Sequence, residues 1–148
     1  EIAQCLVGSE MCIRDRYCGF SKAVLEHRDV TPAEWILEDR DERGQIEIHL
    51  PEQMPEAFVC NCDLTAGLLM LELEKRGISV PEDVSVVGFD NYLYPGFPDL
   101  KITSYEINTK AMVKVALEKA LKQIRGAASG KNMEIVSGQL VPKESVKL

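Results

Sequence analysis

The chain reads as an α/β fold, a parallel sheet covered on both faces by helices, and three stretches carry that reading. Val84, Val86, Val87 and Phe89 form a near-continuous apolar run, as a parallel strand buried on both faces requires. Ala57-Phe-Val-Cys-Asn61 is a second buried strand, set off by Pro51 and Pro55, which interrupt regular structure. Between the two lies a helix beginning near Leu64, with Asp63 as its N-cap and Gly77 as its C-terminal cap. Strand, helix and parallel strand make a right-handed βαβ unit.

The remaining elements follow in chain order. From Cys18 to His27, the residues Phe20, Ala23, Val24 and His27 fall at helical spacing with Lys22 and Glu26 outside, which predicts an amphipathic helix and a core or edge histidine. Thr31-Pro32 is a helix start or a turn, and Glu34 to Glu38 a short strand. The charged run from Asp39 to Gly44 is a solvated loop or helix start, and Gln45 to Leu50 fits either a strand or a helix fragment. The Leu64–Arg76 helix carries Ala66, Leu68, Leu69, Met70, Leu71 and Leu73, so its first two turns are apolar nearly all round. One face packs on the sheet, and the other needs cover from a partner subunit or from another helix of the chain. Asn91 to Asp99 is a loop whose Tyr92, Tyr94, Pro95, Phe97 and Pro98 contact either a partner or ligand or their own sheet. Ile102 to Tyr105 is extended. A long helix from Thr109 to Arg125 sets Met112, Val115, Ala116, Ala120 and Ile124 on one side and a row of lysines on the other. Gly126 to Gly130 is a link, and Glu134 to Leu140 a final strand.

Bulk properties narrow the function. A length of 148 residues, 45% hydrophobic and 28% charged, suits one soluble domain with a substantial core. The net charge of −7 argues against nucleic-acid binding by this segment, because phosphate contacts need a basic surface. With no membrane-length run and no signal-peptide pattern, the expected location is cytoplasmic and no membrane partner is expected. The five cysteines (Cys5, Cys12, Cys18, Cys60, Cys62) are odd in number and irregularly spaced, and His27 and His49 lie in unrelated segments. Reduced, mostly buried thiols are expected, with no metal site. Phosphate loops, dinucleotide fingerprints and nucleophile elbows are missing, so neither a cofactor nor an enzymatic activity is expected.

One residue stands out chemically. Asp90 sits where the Val84–Phe89 strand gives out, and in open parallel sheets the carboxyl ends of strands line the ligand crevice. A carboxylate there either accepts hydrogen bonds from a small molecule or caps the next turn. Gly88, two residues earlier, lets the backbone approach a neighbour.

Ala57-Phe-Val-Cys-Asn-Cys-Asp-Leu-Thr-Ala66, followed by Arg76-Gly-Ile-Ser-Val-Pro-Glu-Asp-Val-Ser-Val-Val-Gly-Phe-Asp-Asn91, resembles the ligand-binding core of the lactose-repressor/galactose-repressor transcription regulators. Ile102-Thr-Ser104 resembles that family's crossover strand, and the helix to Arg125 and Glu144-Ser-Val146 fit in order and spacing. The resemblance runs from about Tyr17 to the end. It implies a periplasmic-binding-protein-like core of two Rossmann-like subdomains hinged around an effector, of which this chain would hold one subdomain plus the crossover helix of the other. Residues 17–104 would form the C-terminal effector-binding subdomain, 105–131 a helix belonging to the N-terminal subdomain, and 132–148 a returning strand and tail. Residues 1–16, containing Ser9-Glu-Met-Cys-Ile-Arg-Asp-Arg16, are expected to be a non-native or truncated start.

The resemblance also assigns roles. Asp90 matches the family's effector-binding aspartate, which moves its reading toward ligand contact. Arg16, three residues before Gly19, falls where the family has an arginine that forks onto effector hydroxyls. Cys62 takes a position where many members carry asparagine, and a thiol is a poor donor there. Asp39 lies near a position on the pocket wall. The implied partners are a small-molecule effector, in most members a sugar, and a second copy of the chain held through Leu68, Leu71, Tyr92, Tyr94 and Phe97. Operator DNA would be reached only through a helix-turn-helix domain that these residues do not contain. A fragment of a transporter's solute-binding protein, which shares the fold, is the alternative, and an enzyme on a doubly wound sheet is a distant third.

Overall fold

The computed structural model describes residues 2–5, 11–27, 29, 32–37, 43, 45–126 and 133–147. Among them one sheet runs in the order β2-β1-β3-β4-β5-β6. Its strands are β1 (Ile2–Cys5), β2 (Pro32–Leu37), β3 (Ala57–Cys60), β4 (Ser85–Asp90), β5 (Thr103–Glu106) and β6 (Gln139–Val141). The first five run parallel, and β6 returns antiparallel to β5. Helices α1 (Met11–Glu26), α2 (Asp63–Lys75) and α3 (Thr109–Ile124) complete the chain.

The expected β3–α2–β4 unit is present, with Ala57 beside Ser85 and Val59 beside Val87. Phe58, Cys60, Val84 and Val86 alternate inward and meet Ala66, Leu69 and Leu73 of α2, and Leu50 closes the same core. A run of hydrophobic residues becomes a strand here because each face has its own cover. At its C-terminus α2 ends in a Schellman motif: the Gly77 amide donates to the Glu74 carbonyl at 2.9 Å and the Ile78 amide to the Leu73 carbonyl at 3.0 Å. Gly77 takes φ 72°, the left-handed conformation that the expected cap demands. Among the described residues no helix packs on the second face of α2. Leu68 and Leu71 line a groove with Ile46, Ile48 and Leu50, and Phe97 reaches the helix at Gly67.

Several boundaries differ from expectation. Helix α1 begins at Met11 rather than Cys18, since nothing between them breaks a helix; His27 lies just past its end and is exposed. Pro32 opens β2 instead of a turn. Gln45–Leu50 is irregular apart from a single bridge at Ile46. Asp63 is the first residue of α2, and Cys62 holds the N-cap position without a side-chain cap bond. The expected strand from Glu134 is reduced to β6. The Gly138 amide is taken by the Tyr105 hydroxyl at 2.9 Å, so it is withheld from the ladder. Cys18 is exposed rather than buried, Cys60 is buried, Cys62 is half-buried, and none of the three is in a disulfide. Asp39 lies outside the described residues.

The segment after β6 is stitched to the sheet. Buried Ser145 donates its hydroxyl to the Val86 carbonyl at 2.6 Å and accepts the Thr103 amide at 2.8 Å. Its own carbonyl accepts the Val86 amide at 2.8 Å. This completes the backbone pairing of two strands that would otherwise hold buried, unsatisfied groups. Helix α3 is the opposite case. Asn108 caps it by accepting the Ala111 amide at 3.0 Å, yet none of its residues is buried. Met112, Val113, Leu117, Leu121 and Ile124 are exposed.

Candidate functional site

The carboxyl ends of β3 and β4 bring together residues far apart in sequence. Arg16, on α1, donates through Nη2 to Asp90 Oδ1 at 3.3 Å and through Nη1 to the Asn61 carbonyl. The guanidinium lies 3.9 Å from the centroid of the Phe89 ring, and that ring stacks on Tyr105 at 5.3 Å. A cation held by a carboxylate, a carbonyl and an aromatic face is fixed in direction and still about a quarter exposed. Asn61 itself is buried, and its side-chain oxygen has no hydrogen-bond partner among the described residues. Such an atom is costly unless a donor reaches it.

Asp90 and Asn91 leave β4 with φ 101° and φ 51°, a conformation that side chains other than glycine resist. Asp63 holds this turn from below. Its Oδ2 accepts the Tyr92 amide at 2.8 Å, and its Oδ1 accepts the Ser104 hydroxyl at 2.7 Å, while Ser104 Oγ accepts the Asn91 amide at 3.0 Å. Room for the carboxylate comes from Gly88, since a Cβ there would stand 2.0 Å from Asp63 Oδ1. The neighbour expected to approach Gly88 is therefore Asp63. Beyond the turn, Asn91 accepts from Lys143 Nζ at 2.7 Å and donates to Glu106 at 3.3 Å, and Glu106 also accepts from Gln139 at 2.7 Å.

Of the residues singled out from sequence, Asp90 and Arg16 are in direct contact. Cys62 is not part of that contact; its thiol lies 3.4 Å from the Thr65 hydroxyl at the start of α2. Leu68 and Leu71 sit on the α2 groove. Tyr92 is exposed, while Tyr94 and Phe97 are half-buried, with Tyr94 edge-on to Tyr92 at 4.9 Å. Sequence reasoning missed Asn61, Ser104, Asn91 and Lys143. Only Ser104 had a signal, as a polar residue inside an otherwise extended segment. Among the described residues no cluster of histidine, cysteine or carboxylate side chains could hold a metal ion.

Burial pushes the Asp63 carboxyl up, against the bonds from Ser104 and the Tyr92 and Asn91 amides. Burial likewise raises Asp90, with Arg16 opposing and the Asp63 charge adding to the rise. Each group then binds its proton more tightly folded than unfolded. Stability therefore falls as pH rises from the ordinary aspartate value of about 3.9 to the raised folded value, and is flat above it. Asp63→Asn removes that group's share. The stability of the parent chain minus that of Asp63→Asn, from urea melts, should decline with rising pH across this window; a constant difference would refute it.

A mostly parallel sheet with convergent polar groups at its strand ends is the arrangement in which open α/β folds place a ligand crevice. The chain belongs to the periplasmic binding protein-like domain family, which matches residues 1–146. It is 29% identical to the HTH-type transcriptional repressor PurR of Vibrio parahaemolyticus over 150 residues, covering 97% of this chain and 45% of that protein. The chain thus spans about half the length of the curated relatives it matches. A periplasmic binding protein/LacI transcriptional regulator from Alkaliphilus metalliredigens, solved with D-xylulofuranose, has TM-score 0.76 and 22% identity, covering all of this chain and 57% of that one. A dimeric Lac repressor with a C-terminal deletion has TM-score 0.78 and 20% identity, covering 99% of this chain and 55% of that one. These structural likenesses establish the fold. The family expected from the Val80–Asn91 string is the one found, and the curated relative is a repressor rather than an enzyme.

Proposed function

We propose that the chain is the effector-sensing part of a lactose-repressor/galactose-repressor type regulator. The observation that carries this reading is the Arg16–Asp90 pair at the ends of β3 and β4, beside the unpartnered Asn61 oxygen. A guanidinium and a carboxylate set side by side offer donors and acceptors to neighbouring hydroxyls, which suits a sugar. The sugar in the Alkaliphilus protein supports the same class. Residues 17–104 then form the C-terminal subdomain, 105–131 the helix of the N-terminal one, and 132–148 the returning strand and tail. The exposed apolar residues of α3 fit a helix whose packing surface lies outside these 148 residues.

In this reading no chemistry is catalysed. Effector binding favours one hinge angle and shifts the population of DNA-binding states, and operator contact is made by a helix-turn-helix domain elsewhere in a cytoplasmic protein. Among the described residues no helix is long and apolar enough to cross a membrane. A two-fold dimer contact through Leu68, Leu71, Tyr92, Tyr94 and Phe97 is supported by the exposure of Tyr92 and the open groove beside Leu68 and Leu71.

The cleft needs both subdomains. Isothermal titration of the 148-residue chain with L-arabinose, D-xylulose and D-ribose should show no tight binding. Micromolar or tighter binding by this chain alone would overturn the division of the cleft.

A further inference from the structure

The strained turn at Asp90 does not hold itself. Both residues that leave β4 with positive φ are followed or gripped by one buried carboxylate, and that carboxylate spends both oxygens on the turn. Asp63 stands at the first position of α2, where an acidic group gains from the helix N-terminus, yet the Cys62 position before it makes no side-chain cap bond. The acid is not used for capping. Instead it crosses to β4 over Gly88, the one residue type that leaves it space, and its second oxygen is relayed through Ser104 of β5 to the Asn91 amide. Two adjacent strands and a helix thus meet on two consecutive amides.

We infer that Asp63 is a positioning residue for Asp90. By holding the Tyr92 amide directly and the Asn91 amide through Ser104, it keeps the turn left-handed and so aims the Asp90 carboxylate across the strand end at Arg16. Without that grip the turn relaxes to negative φ, and Asp90 swings off the guanidinium. The inference rests on the reading of Asp90 as an effector ligand, but its geometry can be tested with no ligand present. Failure of the positioning and failure of the effector reading are therefore separable.

The experiment is amide hydrogen exchange and side-chain carboxyl NMR on the 148-residue chain. In Asp63→Ala the Tyr92 amide should exchange at least about tenfold faster, following the loss of its acceptor. The amides of Leu69 and Val86 should keep their protection. Asp63→Asn retains an acceptor oxygen for Tyr92 and a polar group for Ser104, so slow exchange at Tyr92 should return. The midpoint of the Asp90 carboxyl titration should rise in Asp63→Ala as the carboxylate leaves Arg16, whereas loss of the Asp63 charge alone would lower it; it should stay put in Ser145→Ala, which weakens the sheet elsewhere and serves as the control for a purely structural loss. Should Asp63→Ala fail to fold, Ser104→Ala is read at the Asn91 amide in the same way. Unchanged protection of Tyr92 in Asp63→Ala, or of Asn91 in Ser104→Ala, overturns the inference. So does an Asp90 midpoint that moves equally in Ser145→Ala. A regulator with this turn intact that binds none of the sugars would instead count against the effector reading alone.

Discussion

Gly88→Ala should destabilise the chain by about 3 kcal/mol, at the upper end of what overpacking a core costs. The added Cβ would lie 2.0 Å from Asp63 Oδ1 and 3.2 Å from Ile102 Cγ2, and neither neighbour is the free end of a flexible side chain. Asp63 is buried and bonded at both oxygens, so it cannot withdraw without leaving the Ser104 hydroxyl and the Tyr92 amide unpaired. Urea melts measure the loss as a lower midpoint at an unchanged slope. A midpoint within experimental scatter of the parent would mean that the β4–α2 spacing is loose enough to absorb a methyl group, contrary to the packing described.

Asp90→Ala in the full-length regulator should weaken sugar binding about 10- to 100-fold, the loss of one hydrogen bond to a charged acceptor in a half-buried site. Removal of the carboxylate also frees Arg16, which keeps its place over Phe89 and the Asn61 carbonyl but loses its charged partner. Calorimetric titration with the cognate sugar at fixed salt gives the number. Lys22→Ala is the contrast: the Lys22–Glu26 pair is mostly exposed, and screening leaves such a pair little effect on anything. Equal affinities for Asp90→Ala and the parent would remove Asp90 from the site.

Much of the β3–α2–β4 unit was legible because its signals are local. An apolar run, a helix and a glycine just past it are read from adjacent residues, and Gly77 lies where the Schellman bonds need it. Asp63 shows where local reading stops. Position and residue type marked it as an N-cap, yet its partners Tyr92 and Ser104 are 29 and 41 residues away. Capping rules weigh only the next turn of helix and cannot see a carboxylate drawn sideways. Arg16 and Asp90 are 74 residues apart, and only the family resemblance placed them in one site. The strand expected over Glu134 to Leu140 was also longer than β6, because the Tyr105 hydroxyl claims the Gly138 amide that would have extended the ladder. Polar residues such as Asn61 and Ser104 carry no periodic signal at all, and their burial becomes visible only once the strands are side by side.

The position of Ser145 sets an order of events during synthesis. The Val86 carbonyl and the Thr103 amide wait on a residue 59 and 42 positions further along the chain. Until it emerges, β4 and β5 carry unpaired backbone groups in the interior of a growing sheet, which is the condition under which a nascent chain is most open to wrong strand pairing. The β2-β1-β3 half of the sheet can form as soon as α2 is made, but the half that bears Asp90 is completed only once Ser145 has been added.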